Sequence, residues 1–197
     1  MGFALSLLGV KGKSPDAILA DLHLRPTGVR GLEGDAPVVG EMSGTGWYLV
    51  IAQGAEHRLI SAPVVERLSQ GCDVLTYTVE EHVMFSEATG WRNGRRLWAV
   101  THRGEDGPVG IDAQGDLPPE YAPIRDDHMA QQEAAGGDAA DVDCLFDIPV
   151  VLVQRFTGYK HDDVSSADVQ FEVLESTEPS GKPATSWVRR LFGGGDK

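Results

Sequence analysis

Glu80-Glu81-His82 sets two carboxylates beside an imidazole, and His102 follows at the far end of a strand-forming run. A carboxylate and a histidine brought side by side on neighbouring strands can pass a proton to and from a substrate. Glu81, His82 and His102 are therefore the candidate catalytic set of an enzyme reading. Strand alternation sends Glu80 and Glu81 to opposite faces, so only one of them can share a face with a given partner. Asp126-Asp127-His128 and His161-Asp162-Asp163 carry metal-ligand residue types. Consecutive residues on a helix diverge, however, and neither triplet has the H-E-x-x-H spacing of a zinc site. Asp138, Asp141 and Asp143 lack the glycine and closing glutamate of a calcium loop. No metal and no cofactor is expected.

Nucleophiles are no better placed. Ser14, Ser61 and Ser86 stand outside any G-x-S-x-G elbow. Cys72 and Cys144 are the only cysteines in 197 residues and form no C-x-x-C pair, so two reduced thiols are expected. Gly9-Val10-Lys11-Gly12-Lys13-Ser14 lacks the two glycines at the spacing of a phosphate-cradling loop.

These side chains have to be positioned by a few legible elements. The richest is Val83 to His102, read as a β-hairpin around Asn93-Gly94, a dipeptide that accepts positive φ at both turn positions. In that register Arg92 faces Arg95, Trp91 faces Arg96, Thr89 faces Trp98 and His102 lies opposite Phe85. A bulge among the small residues Ser86 to Gly90 would shift it by one. Trp91, Arg92, Arg95, Arg96 and Trp98 then form a candidate recognition tip, since Arg and Trp most often dominate binding energy. Trp91 beside Arg96 is an expected cation–π pair.

Elsewhere, Phe3 to Val10 reads as a buried strand. Ser14-Pro15-Asp16 opens a helix with a capping serine, a proline at the first position and an acid at the positive dipole end; Pro26 is its expected stop. Thr27 to Leu32 and Pro37 to Met42 are candidate strands around Glu33-Gly34-Asp35. Trp47 to Ala52 is apolar on both faces and expected to be central. Ser61 to Gly71 reads as a short helix and Cys72 to Glu80 as a strand. Pro108 to Ala113 is a candidate edge strand. Helices are expected from Glu120 to Ala135 and from a capping Asp147 to Phe156, the second buried on the sheet. The cheapest architecture is an α+β fold: a mixed or mainly antiparallel sheet with helices packed on one face and the Asn-Gly hairpin at its centre. Residues 1–163 are expected to form one domain. Residues 164–197 would hold a late strand, Val169 to Leu174, a flexible linker and a tail, Trp187-Val188-Arg189-Arg190-Leu191-Phe192.

The formal charge is −13, which disfavours nucleic-acid binding through phosphates and favours basic partners. Glu105 to Asp147 holds twelve acidic residues and one basic residue, Arg125, so this stretch carries −11. Asp126, Asp127, Asp138, Asp141 and Asp143 are candidate binding residues on that account. Trp187, Arg189, Arg190 and Phe192 are candidates for docking to a partner protein or, as the second reading, to an anionic membrane surface. No apolar run approaches the ~20 residues of a membrane span. The start Met1-Gly2-Phe3-Ala4-Leu5 lacks the basic start and cleavage site of a secretory signal, so a cytoplasmic location is expected.

Glu81 to Ser86, Trp91 to Gly94, Trp98 to His102, Phe146 to Pro149 and Thr157 to Tyr159 resemble a group of uncharacterised bacterial cytoplasmic α+β proteins. In size and acidity the chain is similar to immunity proteins that neutralise bacterial toxins. The resemblance implies no catalytic motif. Two functions are therefore carried forward: a non-enzymatic acidic protein that binds a basic protein partner, and a small enzyme or ligand-binding protein using Glu81, His82 and His102.

Overall fold

Leu5, Leu7, Leu8 and Val10 cannot all be buried by a strand with one wet face, and they are not. In the computed structural model, which describes residues 2–31, 36–106, 110–163 and 170–178, they belong to β1 (Ala4–Lys11), the middle strand of a nine-stranded sheet. The elements run β1, α1 (Pro15–Asp21), β2 (Leu24–Gly31), β3 (Val38–Met42), β4 (Tyr48–Gln53), α2 (Ala62–Leu68), β5 (Asp73–Glu80), β6 (Phe85–Arg92), β7 (Arg95–Arg103), β8 (Ile111–Gly115), α3 (Tyr121–Ala135), α4 (Asp147–Thr157) and β9 (Phe171–Ser176). Across the sheet the strands stand in the order β2-β9-β3-β4-β1-β5-β6-β7-β8, and each neighbouring pair is antiparallel.

Helices cover both faces, not the expected one. Alternation sends Leu5, Leu7, Leu49, Ile51, Leu75, Tyr77, Val79 and Val100 to one side, where α3 and α4 add Ile124, Ile148, Leu152 and Val153. It sends Leu8, Val10, Val50, Ala52 and Val74 to the other, against Ile18, Leu19 and Leu22 of the α1 segment and Val65 and Leu68 of α2. Strands apolar on both sides need two covers, and two seven-residue helices are just long enough to supply the second. Each fully buried leucine of these layers contributes roughly 1.5–3 kcal/mol over its exposed state.

Local signals place the ends. Ser14 Oγ accepts from Ala17 N at 3.4 Å and Pro15 takes the first helical position of α1. Leu22 ends that helix, so Pro26 does not stop it. Pro26 instead lies in β2, the edge strand, where a missing N–H costs no ladder bond to an outer neighbour. Asp147 is the first residue of α4 and not its cap. The cap position is Phe146, whose N–H is taken by Asp143 Oδ1 at 3.2 Å.

The sheet is centred on β1, and the β6–β7 pair lies towards the β8 edge. Arg92 stands opposite Arg95, with Asn93 at φ 52° and Gly94 at φ 72° between them. Beyond Trp91 opposite Arg96 the register shifts: Gly90 faces Trp98, Thr89 faces Ala99 and Ser86 faces His102. The expected Thr89–Trp98 and Phe85–His102 pairs are thus displaced by one. Gly90 gives the physical reason. A Cβ there would sit 2.2 Å from Trp98 Nε1, so the indole lies flat over the one residue that leaves it room, and Leu97 is the extra residue of the bulge. The strand expected at Pro108 to Ala113 lies instead at Ile111–Gly115. The late strand, β9, is inserted between β2 and β3, with Thr27 Oγ1 donating to Val173 O at 3.0 Å. The turn Glu33-Gly34-Asp35 and the tail residues Trp187, Arg189, Arg190 and Phe192 lie outside the described residues.

Candidate functional site

Glu81, His82 and His102 do not converge. Glu81 leaves strand geometry and opens a 3-10 turn (Glu81–Val83), which removes the alternation argument applied to it. Its carboxylate accepts from Phe3 N at 2.8 Å and lies 3.3 Å from His161 Nε2. His82 is exposed and pairs with Glu80 at 2.8 Å. His102 is 0% exposed at the other end of the β6–β7 pair.

The surroundings of His102 decide what it can do. Nδ1 lies 2.8 Å from Gly110 O, and Nε2 lies 2.8 Å from Asp143 Oδ2. A carbonyl oxygen only accepts, so Nδ1 donates. Nε2 then either donates to an ionised Asp143 or accepts from a protonated one. In both cases no ring nitrogen is free to exchange a proton with a substrate. Asp143 joins β7 to the segment ahead of α4, and the Phe146 ring packs edge-on to the imidazole at 6.4 Å. The pair is a tie between layers.

A second chain, buried at Tyr77 and His161 and exposed at its far end, runs from Tyr77 Oη to His161 Nδ1 (3.1 Å), then from His161 Nε2 to Glu81 and on to Phe3 N. It joins the start of β1, the β5 layer and the segment after α4. Near it, burial pushes the Asp147 carboxyl above its ordinary range, with Asp162 adding to the rise and Lys160, His128 and His161 opposing it. Tyr48 Oη is buried without a hydrogen-bond partner among the described residues, and desolvation, then Glu172 and Glu41, push its pKa up to about 12. Burial also raises the Cys72 thiol, whose Sγ donates to Leu68 O. Both cysteines are free thiols, Cys72 buried and Cys144 half-buried. Sequence reasoning found neither the His102–Asp143 nor the Tyr77–His161 contact, because these pairs lie 41 and 84 residues apart in the chain.

The acidic residues fall differently. Asp126 and Asp127 are exposed on α3, while His128 on the same helix is buried and bonded to Ile124 O, so the triplet does not converge. Among the described residues no three His, Cys, Asp or Glu side chains group as a metal site would need. Glu105, Asp112, Asp116, Glu133, Asp138 and Asp141 are exposed as well, whereas Asp143 is spent on His102 and Phe146. Gly136 ends α3, and a turn (Gly137–Ala139) folds back beside it. Met129, Gln132, Glu133, Asp138 and Leu145 thereby border an open groove of 430 Å³. Met129 is 49% exposed at that groove, and Val142 is 54% exposed on the same α3–α4 connection. Gln132 holds the connection by donating to Gly137 O and Val142 O and accepting from Cys144 N.

At the tip of the β6–β7 pair, Arg92, Arg95 and Arg96 are exposed and Trp91 is half-buried, but Trp98 is core. Among the described residues cations lie over Trp47, Phe85 and Tyr121, from Lys11, Arg103 and Arg125, and not over Trp91. Among those residues no helix is long and apolar enough to cross a membrane. No protein-family model matches the chain, and no curated protein or solved structure matches it.

Proposed function

We propose that this protein is a non-enzymatic binding protein whose acidic α3 face receives a basic protein partner. The observation that carries the reading is the outer surface of α3 and the turn beyond it. There Glu133, Asp138 and Met129 border a 430 Å³ groove, and Asp126, Asp127 and Asp141 are exposed on the same helix and the turn beyond it. Large exposed apolar side chains ringed by charges of one sign are what a protein interface needs: burial for affinity and a field for steering. The engagement of both nitrogens of His102 supports the same reading, since it takes the best-placed imidazole away from proton transfer. Neutralisation of a cationic toxin is the most concrete version of such a role.

Pull-down with the full chain from its native host tests this. The expected result is a stoichiometric cationic protein whose binding weakens steeply with salt and is lost in an Asp127→Lys, Glu133→Lys variant that folds normally. Partner binding that ignores both salt and the double variant overturns the proposal.

A further inference from the structure

The antiparallel register aligns two cross-strand rows on the α3/α4 side of the sheet. One row is Gly9, Leu75, Gly90 and Trp98; the next, towards the strand ends, is Lys11, Asp73, Arg92 and Arg95. Two residues along a strand span about 7 Å. Over the first row lies a cavity of 210 Å³ bordered by Trp47, Trp91, Trp98, Phe156, Leu97 and Pro118, with Asp73 at its rim. Two tryptophans, Trp47 and Trp98, meet there, while the Trp91 indole packs on the α1/α2 side of the sheet. Phe156 stacks on Trp98 at 6.3 Å and meets Trp47 edge-on at 6.4 Å.

The second row is cationic in a molecule of net charge −13: three bases stand against one carboxylate. Lys11 lies over Trp47 and donates to Thr45 O at 3.2 Å. Arg92 holds Asp73 at 3.3 Å. Arg95 is exposed and has no ion-pair partner among the described residues. Local charge thus opposes global charge in the row next to the aromatic cavity.

We propose that this cavity is a binding site for a small planar ring that carries an anionic group on a short arm. The ring enters the cavity bordered by Trp47, Trp98 and Phe156, and the anion meets Arg95 and Arg92. The volume is below the ~300–1,000 Å³ of pockets for drug-sized ligands, so it takes one ring system and no more. The site is separate from the α3 face and stands whether or not a protein binds there.

Isothermal titration calorimetry and intrinsic tryptophan fluorescence of the full chain test it. The probes are indole-3-acetate and phenyl phosphate as carboxylate- and phosphate-bearing rings, with indole and tryptamine as neutral and cationic rings. Saturable binding of at least one anionic ring is expected, about tenfold tighter than indole, with tryptamine weakest. Whichever anionic probe binds tighter identifies the class. Arg95→Glu, on an exposed side chain, should cut anion affinity about tenfold and leave indole binding and the melting point unchanged. Three outcomes each overturn the proposal: no saturable binding of either anionic ring up to about 10 mM, tryptamine binding as tightly as indole-3-acetate, or an Arg95→Glu protein that binds the anionic ring as the parent does.

Discussion

Replacing His102 by leucine removes one member of a pair that bridges the sheet and the segment ahead of α4 while roughly keeping the side-chain volume. Asp143 would keep its bond from Phe146 N but lose the imidazole, and Gly110 O would lose its donor. Deleting one partner of a buried hydrogen bond costs roughly 1–3 kcal/mol, and breaking a buried charge pair roughly 3–5 kcal/mol, mostly because the other group is left unpaired. The Asp143 side chain is 17% exposed, so water recovers part of that loss. A cost of about 2–4 kcal/mol is expected, equivalent to a melting-point drop of roughly 5–15 °C in a chain of this size. Asp143→Ala should cost about as much. The decisive measurement is the double-mutant cycle by urea unfolding. The His102→Leu, Asp143→Ala protein should be more stable than the sum of the singles implies by about 1–3 kcal/mol, because the second deletion removes the orphan left by the first. Additivity within about 0.5 kcal/mol, or a His102→Leu cost below about 1 kcal/mol, would refute the tie.

Gly90→Ala should force the Trp98 indole off its seat, because the new Cβ would meet Nε1 at 2.2 Å and Cε2 at 2.3 Å; a loss of about 1–3 kcal/mol and a shifted tryptophan emission are expected. Tyr48→Phe should leave stability unchanged or raise it by up to about 2 kcal/mol, since it deletes a buried hydroxyl without a partner among the described residues. Asp147 stands at the first turn of α4, where the helix dipole favours its charge, yet burial wins and its folded pKa is raised. Its stability contribution is therefore full below the unfolded value of about 3.9 and lost as pH rises through the folded value. Asp147→Asn should be more stable than the parent at neutral pH, and the difference should vanish below about pH 4; chemical unfolding at pH 4 and 7 reads it.

Short-range chemistry was readable without coordinates. Ser14-Pro15 marks the start of α1 locally, because cap and ring act within one turn. The unbroken apolar run after Trp47 could only be an inner strand, and β4 is one. What could not be read involves partners far along the chain. Nothing near Phe171 says that β9 enters between β2 and β3. The bulge at Gly90 depends on where an indole from the next strand settles, so the register beyond it slipped by one. His102 looked reactive because its partners, Gly110 and Asp143, sit in loops whose approach no periodicity reports. Trp47 carried no signal of the aromatic cavity beyond being a tryptophan at a strand entrance. Its neighbours Trp98 and Phe156 arrive from a different strand and a helix.

The insertion of β9 sets the timetable by which the chain can finish folding. Among the described residues β2 is paired with one strand, β9, which lies 146 residues further on at the Thr27–Val173 bond. During synthesis β1 and β4 to β7 can zip up as they leave the ribosome, but β2 must wait, and one border of β3 stays open to strangers meanwhile. Ribosome-bound chains arrested before Phe171 should stick to one another, and release past Ser176 should cure them.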